Sequence, residues 1–195
     1  MEERGHISKQ SIRNRYLGMR NNLSYGERLA KSRKIWELLR QEPVYQSAEA
    51  VLVYMDYRSE VITTGLVEEL LADPAKRVFA PRVLGMNISF YEIQTMEELE
   101  PGYQGIREPA QDEEKLFSHG LAKELKSLIL IPGAVFDRQR GRMGYGKGFY
   151  DRFLIDYIEV SGAALAFECQ IAKKVPMEEH DIRPGIIITE NGVIR

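Results

Sequence analysis

The chain has 195 residues, with 27 lysines and arginines against 29 aspartates and glutamates. That length suits a single domain spanning residues 1–195 with a sizeable core, and the near-neutral balance gives no general affinity for nucleic acid or an anionic membrane. Cys169 is the only cysteine, which excludes an internal disulfide and a thiolate-built metal site within one chain and fits a reducing compartment. The opening MEERGHISKQ is polar without an apolar core, and no later stretch reaches the length of a membrane span, so a soluble, cytoplasmic protein is expected.

Two helices come first. Ser8 is a candidate N-cap for an apolar stripe of Ile12, Tyr16, Met19 and Leu23, beside which Lys9, Arg13 and Arg20 project within a narrow angle. Ser24 and Glu27 form a capping-box pattern for a second helix burying Leu29, Ile35, Trp36 and Leu39, closed by Pro43. Ala50 to Met55, AVLVYM, has the branched apolar character of a buried strand, and Asp56 to Glu60 form the polar loop at its carboxyl end, where open α/β sheets bind ligands. Thr63 and Thr64 are candidate caps for a helix through Leu66, Val67, Leu70 and Leu71. Arg77 to Val83 reads as the next strand, interrupted at Pro81, where a strand would end, and NISFYEI up to Ile93 alternates like an antiparallel addition at an edge. Between Thr95 and Glu124 the pattern gives one helical turn at Thr95 to Glu98, a turn at Pro101 and Gly102, and an extended GIREP segment, Gly105 to Pro109, able to line a pocket.

The densest signal is LILIPGAVFDRQRGRMGYGKGFYDRFL, Leu128 to Leu154. A buried strand, Leu128 to Ile131, ends at Pro132 and Gly133; Gly141, Gly144, Gly146 and Gly148 then let backbone amides approach an anion. An amphipathic helix with Phe149, Tyr150, Phe153, Leu154, Tyr157 and Ile158 on one face points its N-terminus at that loop, and Arg138, Arg140, Arg142 and Lys147 add positive charge. The expected ligand is a polyphosphate. It is not held by a P-loop, because Gly148 follows Lys147 where Ser or Thr is needed and the strand ends too early. The dinucleotide fingerprint fails on spacing, and an RNA-binding RNP1 reading fails at Tyr150. Asp151, one turn after Lys147, is a candidate oxygen ligand for magnesium. Further strands are expected at Ala163 to Phe167, Ile171 to Val175 and Ile186 to Thr189, with His180 and Asp181 in an acidic stretch between the last two.

Lys9 with Arg13, Glu60 with Val61 and Thr63, Pro81, GIREP, PGAVFD at Pro132 to Asp137, GYGKGFYDRFL from Gly144, and His180 with Asp181 together resemble the 5-formyltetrahydrofolate cyclo-ligases, also called 5,10-methenyltetrahydrofolate synthetases. The resemblance spans nearly the whole chain and is most specific from Pro132 to Leu154. It implies an α/β fold, a three-layer open and mostly parallel sheet with helices on both faces, Rossmann-like and related to phosphosugar isomerase and CoA-transferase folds. It also implies an ATP- and Mg2+-dependent conversion of 5-formyltetrahydrofolate, polyglutamylated or not, into 5,10-methenyltetrahydrofolate with release of ADP and phosphate.

By the same resemblance Lys9, Arg13, Arg142, Met143, Gly144, Tyr145, Gly146, Lys147, Gly148, Phe149 and Tyr150 bind ATP, with Lys147 and Arg142 acting on the transferred phosphoryl group. Met55, Glu60, Gly148, Phe149 and Tyr150 contact the folate, Glu60 from the side opposite the glycine loop, and Asp151 with Asp181 hold magnesium. Tyr145 stands where many relatives carry Arg. The competing readings are an anion-binding isomerase or transferase on a related α/β sheet, and a non-catalytic nucleotide-binding module.

Overall fold

The structure, a computed structural model, describes residues 8–179 and 181–195. Residues 1–7 of the polar N-terminal segment and His180 lie outside the described residues. Helices α1 (Lys9–Asn21) and α2 (Tyr25–Gln41) open the chain, each with the cap its sequence implied. The Ser8 side chain accepts from the Ser11 amide, and Ser24 with Glu27 closes a full capping box. Pro43 does more than close α2: it starts the one-turn α3 (Pro43–Gln46).

There follow β1 (Ala50–Leu52), α4 (Thr64–Leu71), β2 (Arg77–Leu84), β3 (Asn87–Ile93) and a small hairpin of β4 (Leu99–Pro101) and β5 (Arg107–Pro109). Then come α5 (His119–Glu124), β6 (Ser127–Ile131), β7 (Val135–Asp137), β8 (Arg142–Met143), α6 (Phe149–Asp156), β9 (Ser161–Leu165), β10 (Ile171–Ala172), β11 (Ile186–Thr189) and β12 (Gly192–Ile194). Among the described residues a seven-stranded sheet runs in the order β12-β11-β9-β6-β1-β2-β3. From β11 to β2 neighbouring strands are parallel, and β12 and β3 join antiparallel at the two edges. This is the mostly parallel α/β sheet expected, with NISFYEI on an edge.

Alternation along the strands builds the layers. Val51, Val78, Leu128 and Leu130 face a core with Ile35, Trp36 and Leu39 of α2 and Leu66, Val67 and Leu70 of α4. Their neighbours Leu52, Phe79, Ile129 and Ile131 face the other core, with Ala122 of α5 and Phe153 and Leu154 of α6. A central strand covered on both faces must be apolar throughout, as SLILI of β6 is. A third cluster, Ala134, Val135, Met143, Ala172 and Val175, receives Ile12, Tyr16 and Leu17 of α1.

Several boundaries differ from the sequence pattern. Strand β2 runs through Pro81 to Leu84. Phe79 offers its carbonyl to Val53 N at 2.9 Å, so Pro81, two residues on, turns the same backbone edge toward β1 beyond the end of that ladder, and its missing N–H has no partner to lose. Val53 to Met55 leave the ladder but stay buried, the strand sought at Ala163 to Phe167 is displaced to β9, and Ile171 to Val175 shortens to β10. Met19 is 42% exposed and Ile158, beyond the end of α6, 81% exposed, so neither belongs to the packed stripe assigned to it.

The loop after β1 is held from several sides. Trp36 Nε1 donates to the Ile62 carbonyl at 2.9 Å, the Ile62 amide donates to Ser32 Oγ at 3.0 Å, and Tyr54 OH donates to the Val61 carbonyl at 3.1 Å. The threonines do not cap α4 with their own hydroxyls. Asp56 Oδ1 accepts from the Thr63 amide at 2.9 Å, the Thr64 amide at 3.2 Å and the Thr64 hydroxyl at 3.1 Å, a carboxylate at a helix N-terminus reached from across the loop. Asp56→Ala therefore destabilises the protein by about 1 to 2 kcal/mol, read as a lower urea midpoint with unchanged slope; an unmoved midpoint would reject this cap.

Candidate active site

The parallel strands stand in the order β2-β1-β6-β9-β11, so chain direction across the sheet reverses between β1 and β6. Crevices at the carboxyl ends of strands flanking such a switch point are where open α/β sheets bind ligands. A cavity of about 420 Å³ opens there. Tyr54, Met55, Tyr57 and Glu60 line it from the loop after β1, Pro132 from the end of β6, and Pro81, Val83 and Ile88 from the edge hairpin. Tyr103, Ile106 and Glu108 come from the β4–β5 region, as expected of GIREP, while Leu17 and Arg20 reach in from α1. Arg142, Gly144, Tyr145, Lys147, Gly148, Phe149, Tyr150 and Asp151 complete the wall.

The glycine loop is shorter than the sequence suggested. Asp137 Oδ1 takes the Gln139 amide at 2.9 Å and the Gly141 amide at 2.7 Å, and a Cβ on Gly141 would lie 2.5 Å from Asp137 Oδ2. Gly141 thus serves a buried turn. Arg138 pairs with Glu168, and Arg140 donates to the Gly185 carbonyl at 2.8 Å, so neither adds charge to the cavity wall. The approach surface is Gly144 to Gly148, where Gly146 (φ 93°) and Gly148 (φ 66°) need a left-handed backbone. Gly148 is the N-cap of α6, so no side chain caps the first amides of that helix, an arrangement able to receive an anion.

Arginines fix this corner. Arg142 is buried, donates through Nη2 to Asp151 Oδ1 at 2.6 Å, and keeps an Nε with no partner. Arg13 reaches from α1 to donate through Nε to the Gly144 carbonyl at 2.9 Å, so the structure does bring α1 to the glycine loop. Lys9 Nζ lies 2.6 Å from Glu178 and 3.7 Å from Asp181. Asp151 Oδ1 also accepts from the Ile182 amide at 3.1 Å, which draws the segment carrying Asp181 to the same corner. Lys147 is exposed on the rim, and the Met143 side chain packs in the third cluster, away from the cavity wall.

Glu60 is not opposite the glycine loop: the Tyr145 hydroxyl donates to its Oε1, while the Tyr57 amide donates to Oε2 at 2.9 Å. Burial pushes the Glu60 carboxyl up from its ordinary value, and Asp56 adds to this; the Tyr145 hydrogen bond, the Arg20 charge and the Tyr57 amide work against it. Burial, and then the Glu60 charge, push the phenols of Tyr54, Tyr145 and Tyr150 up, so all three are neutral hydroxyls at pH 7.

The model of the 5-formyltetrahydrofolate cyclo-ligase family matches residues 6–190. The chain belongs to that family. Cyclo-ligase relatives include the 5-formyltetrahydrofolate cyclo-ligase of Mus musculus, 28% identical over 87% of each chain, and that of Escherichia coli (strain K12), 29% identical over 77% of this chain and 83% of the relative. Among solved structures, the Aquifex aeolicus 5,10-methenyltetrahydrofolate synthetase superposes with a TM-score of 0.82 at 31% identity, covering 96% of this chain and 92% of that one. The Mycoplasma pneumoniae synthetase, at 22% identity and a TM-score of 0.73, shares the fold over 94% of this chain and 99% of its own. As a cyclo-ligase family member the chain is an enzyme of the ligase class. No helix among its described residues is long and apolar enough to cross a membrane.

Proposed function

We propose that this enzyme is a soluble, cytoplasmic single-domain ligase acting on small molecules, which uses ATP to close 5-formyltetrahydrofolate into 5,10-methenyltetrahydrofolate, releasing ADP and phosphate. One observation carries the reading: a buried carboxylate, Glu60, and a glycine loop rich in phosphate-binding features, Gly144 to Gly148 with Arg142 and Lys147, meet in one cavity at the sheet's switch point. A reduced pterin presents N–H donors, for which an ionised carboxylate is an acceptor-only partner. A triphosphate presents charge, for which buried Arg142, the rim Lys147 and the α6 amides are the complement.

A formamide oxygen is a poor leaving group. The γ-phosphoryl moves to it as the bond to ADP breaks, and N5 donates its lone pair to give an iminium phosphate. N10 then attacks the formyl carbon and loses its proton, and the carbon–oxygen bond breaks to release phosphate as the methenyl bridge forms. The protein's part is positioning and charge complementarity, and no protein nucleophile is required. Arg142, Lys147 and the α6 amides hold phosphate oxygens, Arg13 carries α1 against the same loop while Lys9 ties it to Glu178 and Asp181, and Met55, Glu60, Phe149 and Tyr150 set the pterin against the phosphoryl group.

The carboxylates fit magnesium. Among the described residues no group of three or more His, Cys, Asp and Glu forms a ready-made cage, and magnesium asks for one or two carboxylates beside substrate phosphates and water. Asp151 on the cavity wall would hold the ion, with Asp181 from the segment tied to it through Ile182. When bound, the ion supplies charge neutralisation on the phosphates.

Heavy-oxygen label in the formyl group decides the route: it should leave in inorganic phosphate. Label retained elsewhere would reject transfer to that oxygen, and turnover without ATP would favour an isomerase or transferase.

A further inference from the structure

Arg20 is the second-last residue of α1 and lies on the face that packs inward, three and four residues after Leu17 and Tyr16. It is 3% exposed. An arginine on such a face is costly unless its N–H groups find partners. Its Nε donates to Ser59 Oγ at 3.0 Å, and its Nη1 donates to the Gly133 carbonyl at 3.2 Å and to the Tyr145 hydroxyl at 2.6 Å. The guanidinium carbon is also 5.7 Å from the centre of the Tyr145 ring. Ser59, next to Glu60, passes its own hydrogen to Asn21. One guanidinium therefore ties α1 to the loop after β1, the end of β6 and the glycine loop.

We propose that Arg20 is a positioning residue for the folate end of the cavity, acting through the Tyr145 phenol on the Glu60 carboxylate. The proposal rests on the cyclo-ligase reading and goes beyond it in two ways. Tyr145 belongs to the pterin-binding end and not to the phosphates. A positive charge also enters this end of the cavity from α1, set back by one phenol from the carboxylate. A phenol that accepts from Arg20 has its own hydrogen turned to Glu60, so Glu60 is held in one rotamer with its charge favoured. An arginine at 145 would bring a second guanidinium against the first, which explains why a tyrosine suits a chain that carries Arg20.

The groups facing Glu60 are Tyr145 and the Arg20 charge, the Tyr57 amide, and the side chains of Tyr54, Asp56 and Tyr150. Of these only Arg20 and Tyr145 are altered by the test. Tyr145→Phe, a change on an exposed loop, and Arg20→Leu are compared singly and together. Each single variant should raise the titration midpoint of the Glu60 carboxyl, followed by carbon NMR, by about one pH unit. Each should also raise the KM for 5-formyltetrahydrofolate roughly 10-fold or more while leaving the KM for ATP within about twofold. The double variant should lose clearly less than the sum of the two single losses, since much of the effect of Arg20 passes through the phenol, and Arg20→Lys should restore most of the titration. Tyr145→Arg should be tolerated better in the Arg20→Leu background than alone. Additive losses, or an unmoved Glu60 titration in folded Tyr145→Phe, overturn the proposal, as do equal losses toward ATP and folate. The titration needs no substrate, so it decides the coupling even if the unaltered chain makes no methenyltetrahydrofolate, which would instead sink the functional reading.

Discussion

Glu60→Gln lowers kcat/KM for 5-formyltetrahydrofolate by roughly 30- to 900-fold, about 2 to 4 kcal/mol of transition-state binding. The variant keeps the size of the side chain. Its amide can present oxygen to the Tyr57 N–H and NH2 to the Tyr145 oxygen, reversing that bond and turning the phenolic hydrogen away, so the buried side chain keeps partners and the fold is retained. The pterin, however, then meets a donor where it needs an acceptor. ATP binding measured alone should change little, because Arg142, Lys147 and the α6 amides are untouched.

The pH dependence follows from the raised Glu60 pKa. If the ionised form binds the pterin as proposed, kcat/KM for folate falls on acidification with a midpoint above the ordinary value of 4.5, and this acidic limb disappears in Glu60→Gln. For stability the sign is opposite. The folded state keeps the proton to higher pH than the unfolded chain, so Glu60's contribution declines as pH rises from about 4.5 through the folded-state pKa, a decline the glutamine variant lacks. A variant with normal folate use would make Glu60 a structural acid only.

Lys147→Ala is the complementary case. The lysine is exposed on the cavity rim between Gly146 and Gly148, and removing it should move stability by less than about 0.5 kcal/mol. A lost charge-assisted contact with phosphate should cost roughly 1.5 to 3 kcal/mol, a 10- to 150-fold drop in kcat/KM for ATP with the KM for folate little changed. An unaltered rate at low ATP would remove Lys147 from the site.

Much of this architecture was legible because strands buried on both faces must be apolar: AVL, SLILI and III announce β1, β6 and β11 without context. The loop from Gly144 to Gly148 is legible as a tight turn on the cavity wall, since Gly146 and Gly148 take the left-handed backbone that glycine favours. Density hides other boundaries. Gly141, Arg138 and Arg140 share the composition of the Gly144–Gly148 loop but serve a turn around Asp137 and two contacts elsewhere, which spacing alone does not separate. Pro81 reads as a strand end in sequence because a one-dimensional pattern cannot show which backbone edge has lost its neighbour. Asp56 carries no capping signature in sequence because the amides it caps lie seven and eight residues downstream, outside local capping patterns.

Arg20 was visible on the helix with Lys9 and Arg13, yet its place in the cavity was hidden. Its partners Ser59, Gly133 and Tyr145 are distant in the chain and meet only once α1 is packed. The signal available was an arginine within the inward-facing stripe of α1, where an apolar residue is the rule.

The most direct test of the account is the absorbance of 5,10-methenyltetrahydrofolate formed by the purified chain from 5-formyltetrahydrofolate, followed with and without ATP and magnesium while ADP is measured in parallel. Product appearing only when ATP is present, with one ADP released per methenyl bridge, is the predicted result. ADP release that ignores the folate, or product that forms equally well without ATP, would contradict it.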